Sequence, residues 1–368
     1  MKKVVHEQII QTKKGKIHFS EPVVMVDNEA RGRSGHMSHA MVEFAPGKIM
    51  AFNSNCTNKR YAGHSAHGWM EFKISEDYGE SWSEPTMIPY SWDVMIDGLN
   101  TISIEKALAM PNGDIVAFCL MNSQYAPYCC EPWELPPKVL ITHDLGKTWD
   151  EPFEFSKYNG RIYDAMVVDG VAYVLQSCYN DFISAGEDDK YRIFKSEDNG
   201  KSWQEVSAVP FEPAIGLGYG NMTISPEGEL IAYAYNVNDQ VNMSYAVSPD
   251  MGKTWTKTGK SFVKGKIRNP QVGRLDEYYI LTGRAGQNET IASDLAIYTS
   301  LDGINWDDGL FLGEGIRRSC WYSNNLTIKM PNGKTRMYLK YSENYNEFPK
   351  QMGCQVNNML AYFEKIEK

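Results

Sequence analysis

Four of the seven histidines fall close together, His36 and His39 in "HMSH" and His64 and His67 in "HSAH". Imidazole titrates near neutral pH, so such groups suit general acid and base work. Two other readings stay open. One is a chance grouping in surface turns. The other is a metal site, because His-x-x-His occurs twice, although no acidic third ligand accompanies either pair. The carboxyl candidates for an acid or nucleophile are Asp164, Asp97 and Glu105, and Asp164 leads because it opens an apolar run, "YDAMVV". Arg268, Arg284 and Arg317 supply planar guanidinium groups able to pair bidentately with a carboxylate. Solvated loop arginines are the alternative reading.

What must position these groups is a repeat. "ISEDYGESW" at 74–82 returns as "ITHDLGKTW", "KSEDNGKSW" and "VSPDMGKTW", and one residue shorter as "TSLDGINW". The aspartates are Asp77, Asp144, Asp198, Asp250 and Asp302. The long first gap holds "QYAPYCCEPWELPP" at 124–137, a Pro- and aromatic-rich segment expected to be a loop. Out of phase with this motif run six apolar pairs around Pro/Gly/Asn/Asp turns, among them "KALAMPNGDIVAF", "MTISPEGELIAYAY" and "TIKMPNGKTRMYLKY". Each reads as a β-hairpin. A further strand leads from each of the first five into the motif. Units of several antiparallel strands at a period near fifty residues cannot bury both faces alone, and they stack radially as propeller blades.

The Ser-x-Asp-x-Gly-x-x-Trp repeats resemble the Asp-box repeats of the sialidase-like superfamily, and the resemblance covers about residues 34–363. It implies an all-β, six-bladed β-propeller over the whole chain, 1–368, with the N-terminal segment at about 17–27 closing the last blade. It also implies that the boxes are structural and peripheral, with Asp accepting turn hydrogen bonds, Gly taking a positive φ and Trp packing between blades. Chemistry then belongs at the axis, where the hairpins begin: "RGRSGHMSHAM", "DGLNTISIEK", "GRIYDAMVV", "GYGNMTI", "KIRNPQV" and "CWYSNNLTI". These stretches carry the polar and aromatic types a sugar pocket needs.

Sialidases use three arginines for the substrate carboxylate, a Tyr nucleophile assisted by Glu, and an Asp acid/base. By resemblance Tyr322 takes the nucleophile position and Arg284 one arginine position. Met37 lies near where another arginine is expected, flanked by His36 and His39. Asn221 falls where the Glu is expected. The loop expected to hold the Asp, "CTNKRYAGHSAHGWM", contains none. The expected site is therefore Tyr322, His39, Asp164 and His64 for chemistry, with His36, Arg284, Arg268, Asn221 and Tyr163 holding substrate, and no metal or other cofactor.

Net charge of −9 without a basic run argues against a nucleic-acid partner. There is no stretch of 18 apolar residues and no signal-peptide core, so the expectation is no membrane partner and a cytoplasmic chain. The seven irregularly spaced cysteines match neither a disulfide framework nor a zinc pattern. The leading expectation is an exo-glycosidase releasing a terminal acidic or deoxy sugar from an oligosaccharide or glycoconjugate. A uronate-directed lyase using His and Tyr, an α-rhamnosidase-like enzyme, and a non-catalytic glycan-binding propeller are the alternatives.

Overall fold

The computed structural model describes residues 5–35, 37–57, 68–123, 134–181, 183–285, 294–313, 321–344 and 356–367. Six antiparallel sheets follow one another along the chain, giving a six-bladed β-propeller. Blade 1 runs Arg33–Ser34 and Met41–Ala45, which together make its interrupted inner strand, then Lys48–Thr57, Gly68–Ser75 and Thr86–Met87. The inner strands of blades 2 to 6 are Asn100–Ala109, Arg161–Val168, Leu217–Ile224, Ile267–Leu275 and Ser323–Lys329. Each second strand is covered by blades on both sides. Leu230–Asn236, "LIAYAYN", is buried throughout, which is why these strands read as continuous apolar runs instead of alternating.

Among the described residues the core divides into clusters lying between successive blades. The repeat tryptophans pack there. Trp149 lies against Phe72 of the preceding blade at 6.1 Å between ring centroids, and Trp203 against Phe118 at 5.4 Å. In the first turn Asp77 Oδ1 accepts from Ser81 N at 2.9 Å and Ser75 Oγ at 2.8 Å, while Gly79 N donates to Ser75 Oγ at 2.8 Å. Two consecutive residues take positive φ, Tyr78 at 61° and Gly79 at 85°. The second must be glycine for another reason as well. A Cβ on Gly79 would lie 2.7 Å from Tyr338 Oη of the neighbouring blade.

Asp302 shows what the turn carboxylates contribute. Burial works against its charge, but hydrogen bonds from Asn305, Ile304 and Ser300 outweigh burial and hold it below the ordinary Asp range. A lowered carboxyl stabilises the fold fully above its unfolded pKa, and the contribution is lost as pH falls through the folded value. Asp302→Asn should therefore lower the melting temperature at pH 7 by a few degrees and flatten its decline at acid pH. Differential scanning fluorimetry across pH checks this, and an unchanged acid limb would refute it.

Blade 6 joins the two ends of the described chain. Its third strand, Val356–Ile366, pairs with Thr335–Asn344 on one side. On the other it pairs with Lys16–Phe19, with Phe19 opposite Phe363, and with Val23–Val26. The segment expected at about 17–27 to close the last blade thus forms two strands, separated at Ser20–Pro22. Gln8–Gln11 adds an outer edge strand. A helix not expected from the sequence, Pro89–Asp97, connects blades 1 and 2. Pro89 starts it and Gly98, at φ 73°, ends it with its N–H on Met95 O. No helix among the described residues is long and apolar enough to cross a membrane. Cys56, Cys119 and Cys178 are free thiols.

Candidate active site

The inner strands break register at a common level. In blade 2, Phe118 pairs Lys106 and Cys119 pairs Ile104, leaving Glu105 as the extra residue. In blade 3 the extra residue is Tyr163, in blade 4 it is Tyr219, and in blade 5 the irregularity spans Asn269 and Pro270. Tyr219 and Asn269 adopt φ of 48° and 56°. In blades 1 and 6, Ser38 and Trp321 take φ of 71° and 43° at the corresponding place. A bulge turns one side chain out of the alternation and is over-represented beside active sites. The residues so displaced converge. A small pocket, about 420 Å³ when the space open to solvent is included, is lined by Glu105, Tyr163, Tyr219 and Asn269, together with His39 and Tyr322.

Beneath the pocket, polar groups stitch the blades together. Asp164 Oδ1 lies 2.7 Å from Lys106 Nζ of blade 2. Its Oδ2 accepts from Asn221 Nδ2 at 2.6 Å and Met222 N at 2.8 Å in blade 4. Asn221 Oδ1 accepts from Val272 N of blade 5 at 2.8 Å. Lys106 also donates to Asn324 Oδ1 of blade 6 at 2.9 Å. The buried Lys340 of blade 6 donates to Ser38 O and Phe52 O of blade 1, and burial pushes its ammonium well below the ordinary lysine range.

This arrangement corrects two expectations. Asp164, expected to move protons, is buried with both oxygens occupied, and Asn221, expected to hold substrate, is spent on Asp164 and Val272. Both brace blades. Asp164→Ala strands the Lys106 ammonium and should cost about 3–5 kcal/mol of stability. Urea unfolding checks this, and a loss below about 1 kcal/mol would contradict the bracing role.

Of the other expected residues, His39, Tyr163 and Tyr322 line the pocket. His39 is buried, with Nδ1 3.4 Å from Asn358 Nδ2. Tyr163 packs on Tyr219 at 5.2 Å between centroids, and its hydroxyl has no hydrogen-bond partner among the described residues. Tyr322 Oη lies 3.4 Å from Tyr219 Oη. Arg268 and Arg284 are cross-strand partners in blade 5. The Arg268 guanidinium sits 5.9 Å from the Tyr219 ring centre. Burial opposes its charge, and the phenols of Tyr219, Tyr322 and Tyr235 outweigh burial, raising its pKa. Nε of both arginines lacks a hydrogen-bond partner among the described residues. His36, His64, His67 and Arg317 lie outside the described residues, as does 124–133 of the expected loop. Asp97 ends the helix, exposed.

Glu105, third among the carboxyl candidates, is the one that lines the pocket. Burial pushes its pKa up, and Arg161, with Nη1 3.9 Å from Glu105 Oε1, pulls it back only in part. Tyr219 and Asn269 were not singled out. Both belong to hairpin-opening stretches legible in the sequence, but nothing there marks which residue a bulge displaces.

The fold and its axial pocket define the class, a six-bladed β-propeller with a polar and aromatic pocket where the inner strands meet. The family model Sortilin-Vps10 (sortilin, neurotensin receptor 3) matches residues 137–355, more than half of the chain, and the chain belongs to that propeller family. No curated protein matches in sequence. Solved structures match in fold. A Dyadobacter fermentans protein of unknown function superposes with a TM-score of 0.70 at 15% identity, covering 95% of this chain and 99% of its own. The Hadza microbial sialidase Hz136 gives 0.68 at 13%, covering 93% and 68%. The intramolecular trans-sialidase from Ruminococcus gnavus gives 0.61 at 12%, covering 94% and 96%.

Proposed function

We propose that the chain is a carbohydrate-active enzyme, an exo-glycosidase that releases a terminal acidic sugar from an oligosaccharide or glycoconjugate. One observation carries this reading. A carboxyl raised by burial, Glu105, and the phenol pair Tyr322–Tyr219 line one small axial pocket, and the Arg268 guanidinium lies 5.9 Å from the Tyr219 ring centre. Glu105 in its protonated form donates to the leaving oxygen as the glycosidic bond breaks. Tyr322 attacks the anomeric carbon as its hydroxyl proton passes to His39 of the same pocket, with Arg268 stabilising the negative charge that develops on the phenol oxygen, and the proton returns when the sugar leaves. Ionised Glu105 then activates the water that releases the sugar. Arg268 and Arg284 hold the sugar carboxylate.

Aryl sialosides, glucuronides and rhamnosides test this. The expected result is release of the aryl group and reducing sugar from an acidic glycoside, without new ultraviolet absorbance. A second reading, elimination beside a uronate carboxyl, draws on His39 and Tyr322 lining the same pocket. Its signature is an unsaturated, absorbing product from a uronate oligosaccharide. Saturable binding of these sugars with neither product would overturn both readings in favour of glycan binding alone.

A further inference from the structure

Behind the pocket lies a buried charge pair that the reaction above does not use. Arg161 opens the inner strand of blade 3, and Glu134 approaches from the segment before Lys138–Thr142 of blade 2. Both side chains are fully buried, and Arg161 Nε donates to Glu134 Oε1. Backbone contacts set the pair in place. Glu134 N donates to Asn180 O at 3.0 Å, Leu135 N to Met121 O at 3.0 Å, and Arg161 N to Ser177 Oγ at 3.1 Å. The preceding Gly160, at φ 121°, admits the chain where a Cβ would lie 1.9 Å from Ser177 O. Nη1 of the same guanidinium lies 3.9 Å from Oε1 of Glu105, which lines the pocket. Glu105 itself is held by its carbonyl, which accepts from Asn324 Nδ2 at 2.6 Å.

We propose that Arg161 is a positioning residue whose single charge is divided between Glu134 and Glu105, so that the buried pair governs when the pocket carboxyl holds its proton. The significance of this for catalysis rests on the reading of Glu105 as proton donor. The physical basis is competition. An unopposed guanidinium about 4 Å away would keep Glu105 ionised, since an opposite charge at that range lowers a carboxyl by about 1–3 units. Glu134, in direct contact with Nε, offsets much of that field once ionised, above a midpoint that burial raises to about 7, and leaves burial to dominate at Glu105. Among the described residues the other titratable and charged groups around Glu105 are His39 of blade 1, the Lys106–Asp164 pair, Tyr163 of blade 3, Tyr219 of blade 4 and Tyr322 of blade 6. Asp181 also acts on Glu134, opposing its charge. All of these remain in the variants below.

The two members of the pair should act in opposite directions. Glu134→Gln, close to isosteric, frees Arg161 for Glu105 and lowers the Glu105 titration midpoint by about one pH unit. The double variant Arg161→Met/Glu134→Leu removes both charges without stranding either and raises the midpoint by a similar amount. The measurement is a carbon-13 NMR titration of the Glu105 carboxyl in glutamate-labelled full-length protein, assigned with Glu105→Gln, with circular dichroism confirming the fold. Opposite shifts support the division of charge. Shifts of one sign, or none in either folded variant, overturn it. A pH–rate profile separates the two layers. If the NMR midpoints move and the alkaline limb of kcat/KM does not follow, the reading of Glu105 as donor fails while the charge sharing stands.

Discussion

Glu105→Gln should lower kcat on the acidic glycoside by about 10²–10⁴-fold, the usual range for losing a positioned proton donor, with little change in melting temperature. Glutamine keeps the shape of the side chain and removes the transferable proton. Little stability is at stake, because the Glu105 side chain is 19% exposed and its carboxyl is 3.9 Å from the nearest cation among the described residues, while the backbone carbonyl keeps its bond from Asn324. The pH dependence has a definite sign. Burial raises the Glu105 pKa. The donor is therefore present below that raised value and lost as pH rises through it, so wild-type activity should fall on an alkaline limb lying above the ordinary glutamate range. The variant should lack that limb. A substrate with a highly activated leaving group needs less help from the acid, so the defect should shrink on nitrophenyl glycosides relative to alkyl ones. An equal defect on both would mean that Glu105 acts otherwise than as the acid.

Tyr322→Phe should cost at least about 10³-fold in kcat, because removing a nucleophile abolishes the covalent route while leaving binding and the other groups in place. The ring is retained, and with it the packing on Tyr219 at 6.3 Å between centroids. What is lost is the hydroxyl, 3.4 Å from Tyr219 Oη. KM should change little. Rapid-quench kinetics with a fluorosugar of the cleaved type supplies a second readout, since the wild type should accumulate a glycosyl adduct on a peptide containing Tyr322 and the variant should not. An adduct on another residue would relocate the nucleophile. Full turnover by Tyr322→Phe would remove Tyr322 from the reaction.

The aspartate in the most recognisable motif of the chain belongs to neither prediction. Asp77 and its counterparts tie turns, and their tryptophans seal one blade against the next. The pocket is lined by residues with no motif. The sequence by itself determined the architecture because blade stacking depends on local patterns, namely apolar runs around tight turns and a Ser-x-Asp-x-Gly turn whose hydrogen bonds close within a few residues. It also located the six stretches that reach the axis, and Tyr322, His39 and Tyr163 within them.

The tertiary structure decided which side chain of each stretch enters the pocket. One extra residue in a strand reverses the alternation beyond it, and whether that residue is inserted depends on pairing with a strand many positions away. Thus Glu105 lines the pocket while Asp164 and Asn221, read from the same kind of stretch, turn beneath it to brace the blades. The charge on Glu105 was equally illegible. It depends on Arg161 and Glu134, 56 and 29 positions further along the chain, brought to one buried point only because blades 2 and 3 pack side by side.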